Sequence, residues 1–118
     1  MAVGTITPKN INPSGSSASP VPFGPFKMTS NNVQPTSGAN YAAGGVPITA
    51  AQLGLTAVLW GIATAITQAA TVGPGEVAVL PQADGSILLK CGTAAGTADN
   101  GANADLSGTL VNIIAVGY

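Results

Sequence analysis

The sequence predicts an all-β protein, a small antiparallel β-sandwich or meander with a long extended Pro-rich N-terminal arm. From Tyr41 onward, β-branched runs alternate with turn residues, and Asp84-Gly85 is a favoured hairpin turn because it supplies positive φ at little steric cost. Six prolines (Pro8, Pro13, Pro20, Pro22, Pro25 and Pro35) fall within the first 40 residues, where fixed φ and missing donors rule out a continuous helix. Residues 51–73, AQLGLTAVLWGIATAITQAATVG, carry no charged side chain and many β-branched ones. At 118 residues the chain suits one small domain that cannot hold a large core by itself.

The organisation changes at about residue 40. Residues 1–40 read as an extended docking arm, along which Ile6, Ile11, Val21, Phe23, Phe26 and Met28 are spaced as apolar anchors. The prolines argue against a central strand here and leave room for one short strand around residues 27–33. Residues 41–118 read as a small β domain. VPIT at 46–49 leads into AAQLG, one helical turn with Thr49 as its N-cap and Gly54 as its stop. GEVAVLPQ (75–82) is a strand ended by Pro81, and SILLKC (86–91) returns after the Asp84-Gly85 turn. A loop rich in Gly, Ala, Asn and Asp spans 92–108, and TLVNIIAV (109–116) makes the last strand.

The uncharged run at 51–73 fits two periodicities. As a helix it would place Leu55, Val58, Leu59, Ile62 and Ile66 on one face. As a strand it puts Val58, Trp60, Ile62, Thr64 and Ile66 on one side and Ala57, Leu59, Gly61, Ala63 and Ala65 on the other. The strand is preferred. Gly54, Gly61 and the many Thr, Val and Ile residues lower helix propensity, and the nearest lysines, Lys27 and Lys90, lie too far away to anchor a membrane span. A strand without charge on either face is expected to be covered on both, by another sheet, by further copies or by a shell beneath. Trp60 is then a core or interface anchor, as is Tyr41.

Charge and chemistry exclude several function classes. Only 6% of residues are charged, against roughly a quarter in ordinary soluble domains, so neighbours are expected to cover much of the surface. Lys9, Lys27 and Lys90 are the only basic residues, too few and too scattered to grip a phosphate backbone, which excludes nucleic acid as a partner. All four acids, Glu76, Asp84, Asp99 and Asp105, lie after position 75. There is no His, no carboxylate pair close in sequence and no nucleophile beside a base, so no catalytic residue is nominated and the chain reads as a non-enzyme. The lone Cys91, in a strand-like run, reads as a small buried hydrophobe. Asp99, Asn103 and Asp105 offer oxygen ligands of the kind Ca²⁺ takes, but the bidentate Glu and the full loop spacing are missing, and turn chemistry accounts for them. No cofactor or metal is expected. The N-terminus has no continuous apolar segment of the secretory kind, which places synthesis in the cytoplasm.

Two stretches carry a resemblance. YAAGGVPITAAQLGLT, with Tyr41, Gly44-Gly45, Pro47, Thr49 and Leu53-Gly54-Leu55, resembles a pattern in small structural proteins of tailed phages. The ending LLKCGTAAGTADNGANADLSGTLVNIIAVGY is similar to the close of the same group: a strand, an AAGT loop (94–97), Asp-Leu-Ser-Gly (105–108) and an apolar strand ending near Gly117. The resemblance covers about positions 41–118, and the Pro-rich arm lies outside it. It implies a virion component, a head decoration or cement protein that forms β-rich trimers, with the major capsid protein and further copies of itself as partners. The expected function is therefore non-enzymatic: binding the outside of a phage head and tying capsid subunits together, with assembly in the host cytoplasm. A tail, fibre or main-shell component is the alternative, and a small membrane-inserted phage protein is a third reading. The expected interface residues are Ile6, Ile11, Val21, Phe23, Phe26, Met28, Tyr41 and Trp60.

Overall fold

Alternate residues of the last strand, Val111, Ile113 and Ala115, are fully buried, and that strand is the hub around which the rest is built. The computed structural model of the chain describes residues 3–8, 20–67, 72–93 and 103–118. Strands are numbered along the chain. β8 (Leu110–Gly117) pairs antiparallel with β3 (Phe26–Val33) on one side and with β5 (Val58–Thr67) on the other. The far edge of β3 carries two short strands end to end. β1 (Ile6–Pro8) pairs with its second half, and β2 (Val21–Phe23) with its first. A second antiparallel sheet has the order β4 (Val46–Ile48), β7 (Ile87–Thr93), β6 (Val72–Pro81). The chain is all-β, two antiparallel sheets, as the sequence predicts.

The inner faces of the sheets meet in one apolar core. Val33, Val111 and Ile113 come from the first sheet, and Val46, Ile48, Ile87, Leu89 and Cys91 from the second. Tyr41, Leu53 and Leu106 fill its ends from the connecting segments. Tyr41 is held on three sides: its hydroxyl accepts from the Cys91 amide at 3.0 Å, its own amide donates to Ala104 O, and its carbonyl accepts from the Asn103 amide. Cys91 is buried, as its strand-like setting suggests.

Local chemistry explains the turns. Ala51–Leu53 form a single 3₁₀ turn. Thr49 and Gln52 cap it reciprocally: the Gln52 amide donates to Thr49 Oγ1 at 3.2 Å and the Thr49 amide donates to Gln52 Oε1 at 2.9 Å. Gly54, at φ 81°, stops it in the left-handed region. At the β6–β7 hairpin, Gly85 takes φ 88° and its carbonyl accepts from the Val58 amide, which ties the hairpin tip to the start of β5. Pro81 ends β6, as expected, and Pro47 lies on the edge strand β4, where a missing donor does little harm.

Two expectations change. Residues 26–33 form a central strand, although the proline content of residues 1–40 argued against one. Pro25 and Pro35 bracket the segment, and the nine residues between them are free of proline, so every amide there is available to a ladder. Over its described residues, therefore, the stretch before position 40 shares one sheet with β8; residues 9–19 lie outside the described residues. The central run is also reordered. β5 is a strand, and among the described residues no helix is long and apolar enough to cross a membrane. Yet Val58 and Trp60 do not share a face. The register with β8 slips between them, leaving Leu59 as an extra residue; Val58 turns inward and is buried, while Trp60 turns outward. The small residues Gly61, Ala63 and Ala65 take the inner side, partly covered, where a Cβ on Gly61 would already touch Val79 Cγ1 at 3.4 Å.

Candidate interaction surface

The outer face of the first sheet is built from the side chains that alternate away from the core. Cross-strand partners share a face, so register defines its rows. Val21, Met28, Val116 and Trp60 form one row across β2, β3, β8 and β5. Ser30, Ile114 and Ile62 form the next, and Asn32, Asn112 and Thr64 the one after, with Thr7 of β1 at its end. Beyond the first row stand Phe23 and Phe26, paired across the β2–β3 turn.

This face is apolar at one end and amide-rich at the other. Phe23 packs edge-on against Trp60, with ring centroids 6.3 Å apart, and Phe26 against Tyr118 at 6.1 Å. Val116, flanked in register by Met28 and Trp60, is fully buried. Around it Phe23 and Trp60 are each 45% exposed, Ile62 57% and Tyr118 54%, and Ile66, beyond the Asn112 row, is 49% exposed. Isolated exposed apolar residues are ordinary, whereas a contiguous group of this kind marks an interaction surface. In the polar rows, Asn112 Nδ2 reaches Ser30 Oγ at 3.0 Å and Asn32 Oδ1 at 3.1 Å, a ladder of amides and hydroxyls that carries no charge.

The charged side chains that are described lie elsewhere. Lys27 alternates to the other side, in register with Pro22 and Gly117, and Lys90 projects from the second sheet. Asp84 and Asp105 sit in twin turns, where each carboxylate accepts from the hydroxyl and the amide of a serine two residues on, Ser86 and Ser107. The serine hydroxyl, and then its amide, hold each carboxyl below its ordinary pKa. Among the described residues no group of three His, Cys, Asp or Glu could hold a metal, and Asp99 lies outside them. A shallow groove of about 210 Å³ between β1 and the start of β8 is lined by uncharged hydroxyl and amide groups such as Thr5, Thr7 and Gln34.

Of the residues singled out in the sequence, the fold brings Val21, Phe23, Phe26, Met28 and Trp60 onto this one face. Tyr41 is a core residue, 1% exposed, with its hydroxyl occupied within the chain, so it is not available as an interface anchor. Ile6 packs partly buried against the core beside Val33, and Ile11 lies outside the described residues. Sequence reasoning did not nominate Ile62, Ile66, Ile114 or Tyr118. The first two alternate with Trp60 and were legible as its neighbours; the others join the face only through the pairing of β8 with β3 and β5.

No protein-family profile, no curated protein and no solved structure matches the chain.

Proposed function

We propose that the chain is a non-enzymatic structural protein of a virus particle, a decoration or cement protein that binds the outside of a tailed-phage head and ties capsid subunits together. The observation that carries this reading is the outer face of the first sheet, largely apolar and without charge among the described residues, on which Trp60, Ile62, Ile66 and Phe23 stand about half exposed. Such a face favours permanent cover, and an assembled particle, in which each copy meets further copies as well as the shell, supplies it. The resemblance of residues 41–118 to small phage structural proteins supports the particle as its setting, and the scarcity of charge fits a protein that spends its life packed among neighbours. Its partners on this reading are the major capsid protein and further copies of itself, and its place is the virion.

Co-sedimentation of the full chain with purified heads, and separately with purified tails, of the phage whose genome encodes it tests the reading. Saturable binding to heads, imaged as density on the outer surface, is the expected result. Binding to tails alone, or to neither, removes the head-decoration role.

A further inference from the structure

We propose that the outer face of the five-stranded sheet is a copy-to-copy interface, on which a second copy of the chain lays the same face about a two-fold axis. The inference concerns this contact alone and goes beyond attachment to a shell.

Charge is the first argument. Two copies of one surface bring like charges together wherever a charge stands near the axis, and most protein faces are penalised for it. Among the described residues this face has none to oppose: Lys27 alternates away from it, Lys90 belongs to the other sheet, and Asp84 and Asp105 are held in turns. A strongly charged foreign partner would find nothing here to pair with.

Size is the second. Four strand positions about 4.8 Å apart and eight residues at about 3.4 Å each give a footprint of about 500 Å². Doubled by a second copy, it reaches the roughly 1,000 Å² at which specific interfaces begin.

The arrangement within the face is the third. An isologous contact needs a surface that matches itself across the axis. With the axis near the row of Met28, Val116 and Trp60, the aromatic and aliphatic groups meet their own kind at the centre. The row of Asn32, Asn112 and Thr64 then falls toward the rim, where water reaches its amides. Aromatic and Met side chains at the centre with uncharged polar groups around them match the anatomy of a protein–protein interface. Face-to-face pairing makes an even-numbered assembly. A trimer, which the resemblance implies, would need other surfaces, and three such pairs would make a hexamer.

Trp60 is the only tryptophan, so its emission reports this face alone. The test is analytical ultracentrifugation of the full chain across a wide dilution series, with Trp60 emission read on the same samples. The expected result is twice the 11.4 kDa chain mass at high concentration, falling to one chain on dilution, with the emission red-shifting in step. Ile62→Glu and Ile62→Lys should each raise the dissociation constant at least about 30-fold, the mark of a central interface residue. If the Ile62 variants fold poorly, the wild-type mass and emission decide.

A single chain with solvent-like emission at every concentration overturns the proposal, as does a trimer whose mass Ile62→Glu leaves unchanged. So does an emission that turns blue only when phage heads or phosphatidylglycerol vesicles are added, which would give the face to that other partner. Failure to bind heads with pairing intact counts against the decoration role and leaves the interface standing. Head binding by a strict monomer does the reverse.

Discussion

Phe23 and Trp60 come from strands separated by two others, yet their rings meet edge to face at 6.3 Å and 71°. Three strand spacings of about 4.8 Å lie between their backbones, so both side chains lean inward over β3 and β8. That reach accounts for the complete burial of Val116 beside a half-exposed Trp60. It also fastens the short strand β2, which has only three paired residues, to the far side of its sheet.

The first prediction concerns this pair. In a double-mutant cycle of Phe23→Ala and Trp60→Ala, the coupling should be about 0.5–1.5 kcal/mol, the ordinary worth of an aromatic pair beyond its buried area. Urea unfolding of the four proteins, at a concentration low enough to keep them dissociated, measures it. Additive effects would mean that the rings do not hold β2 in place.

Gly117 should tolerate no side chain. A Cβ there would overlap the Ala57 carbonyl oxygen and crowd its carbon and Val58 Cα, all of them backbone atoms that cannot step aside. Gly117→Ala is expected to lose several kcal/mol or fail to fold, because backbone rather than a flexible side chain must move. Gly38→Ala is the control: a Cβ there meets nothing within 4 Å, so the change should stay within about 0.5 kcal/mol. Thermal melts of both proteins decide the matter.

The two serine-capped carboxylates give a pH dependence with a definite sign. Asp84 and Asp105 titrate below their ordinary value in the folded chain because Ser86 and Ser107 donate to the ionised form. Their contribution to stability is present above the unfolded carboxylate pKa, near pH 4, and is lost as pH falls through the lower folded values. In the Ser86→Ala/Ser107→Ala protein both carboxyls should titrate closer to the ordinary value, and the acid limb of the melting curve should flatten. Carboxyl carbon shifts followed by NMR from pH 6 to 2 check the first, and melts over the same range the second.

Removal of residues 1–40 should abolish folding rather than trim an appendage, because it deletes β3 and exposes one whole side of β8. Circular dichroism of residues 41–118 is expected to show no cooperative melt. A cooperative transition in that fragment would mean that β8 needs no partner on its β3 side.

The local elements were legible where the chain carries its own signals. Asp84-Gly85 announced a hairpin, Thr49 and Gly54 bracketed a single turn, and Pro81 ended a strand, because each of these rests on the conformational limits of one or two residues. Pairing was not legible. β3 meets β8 across some eighty residues of sequence, and nothing within 26–33 says that its partner is 111–117. The prolines misled for a related reason: their number argued against a central strand, whereas Pro25 and Pro35 stand just outside 26–33 and Pro8 and Pro22 on the short edge strands, which a sheet permits. The aromatic and apolar residues of the surface were picked out individually as anchors, but their gathering on one face follows from register. Tyr41 looked like an anchor of the same kind and serves the interior instead, since its hydroxyl has an amide to meet there.

The slip at Leu59 has an evolutionary corollary. Loss of that single codon would remove the slip, set Val58 and Trp60 in regular alternation against Gly117 and Val116, and leave every later residue on its present side. Loss of one codon between 61 and 65 would instead turn part of the strand over and drive tryptophan or isoleucine into the space held by glycine and alanine. Lineages descending from this protein should therefore accept omission of position 59 and reject omissions within 61–65.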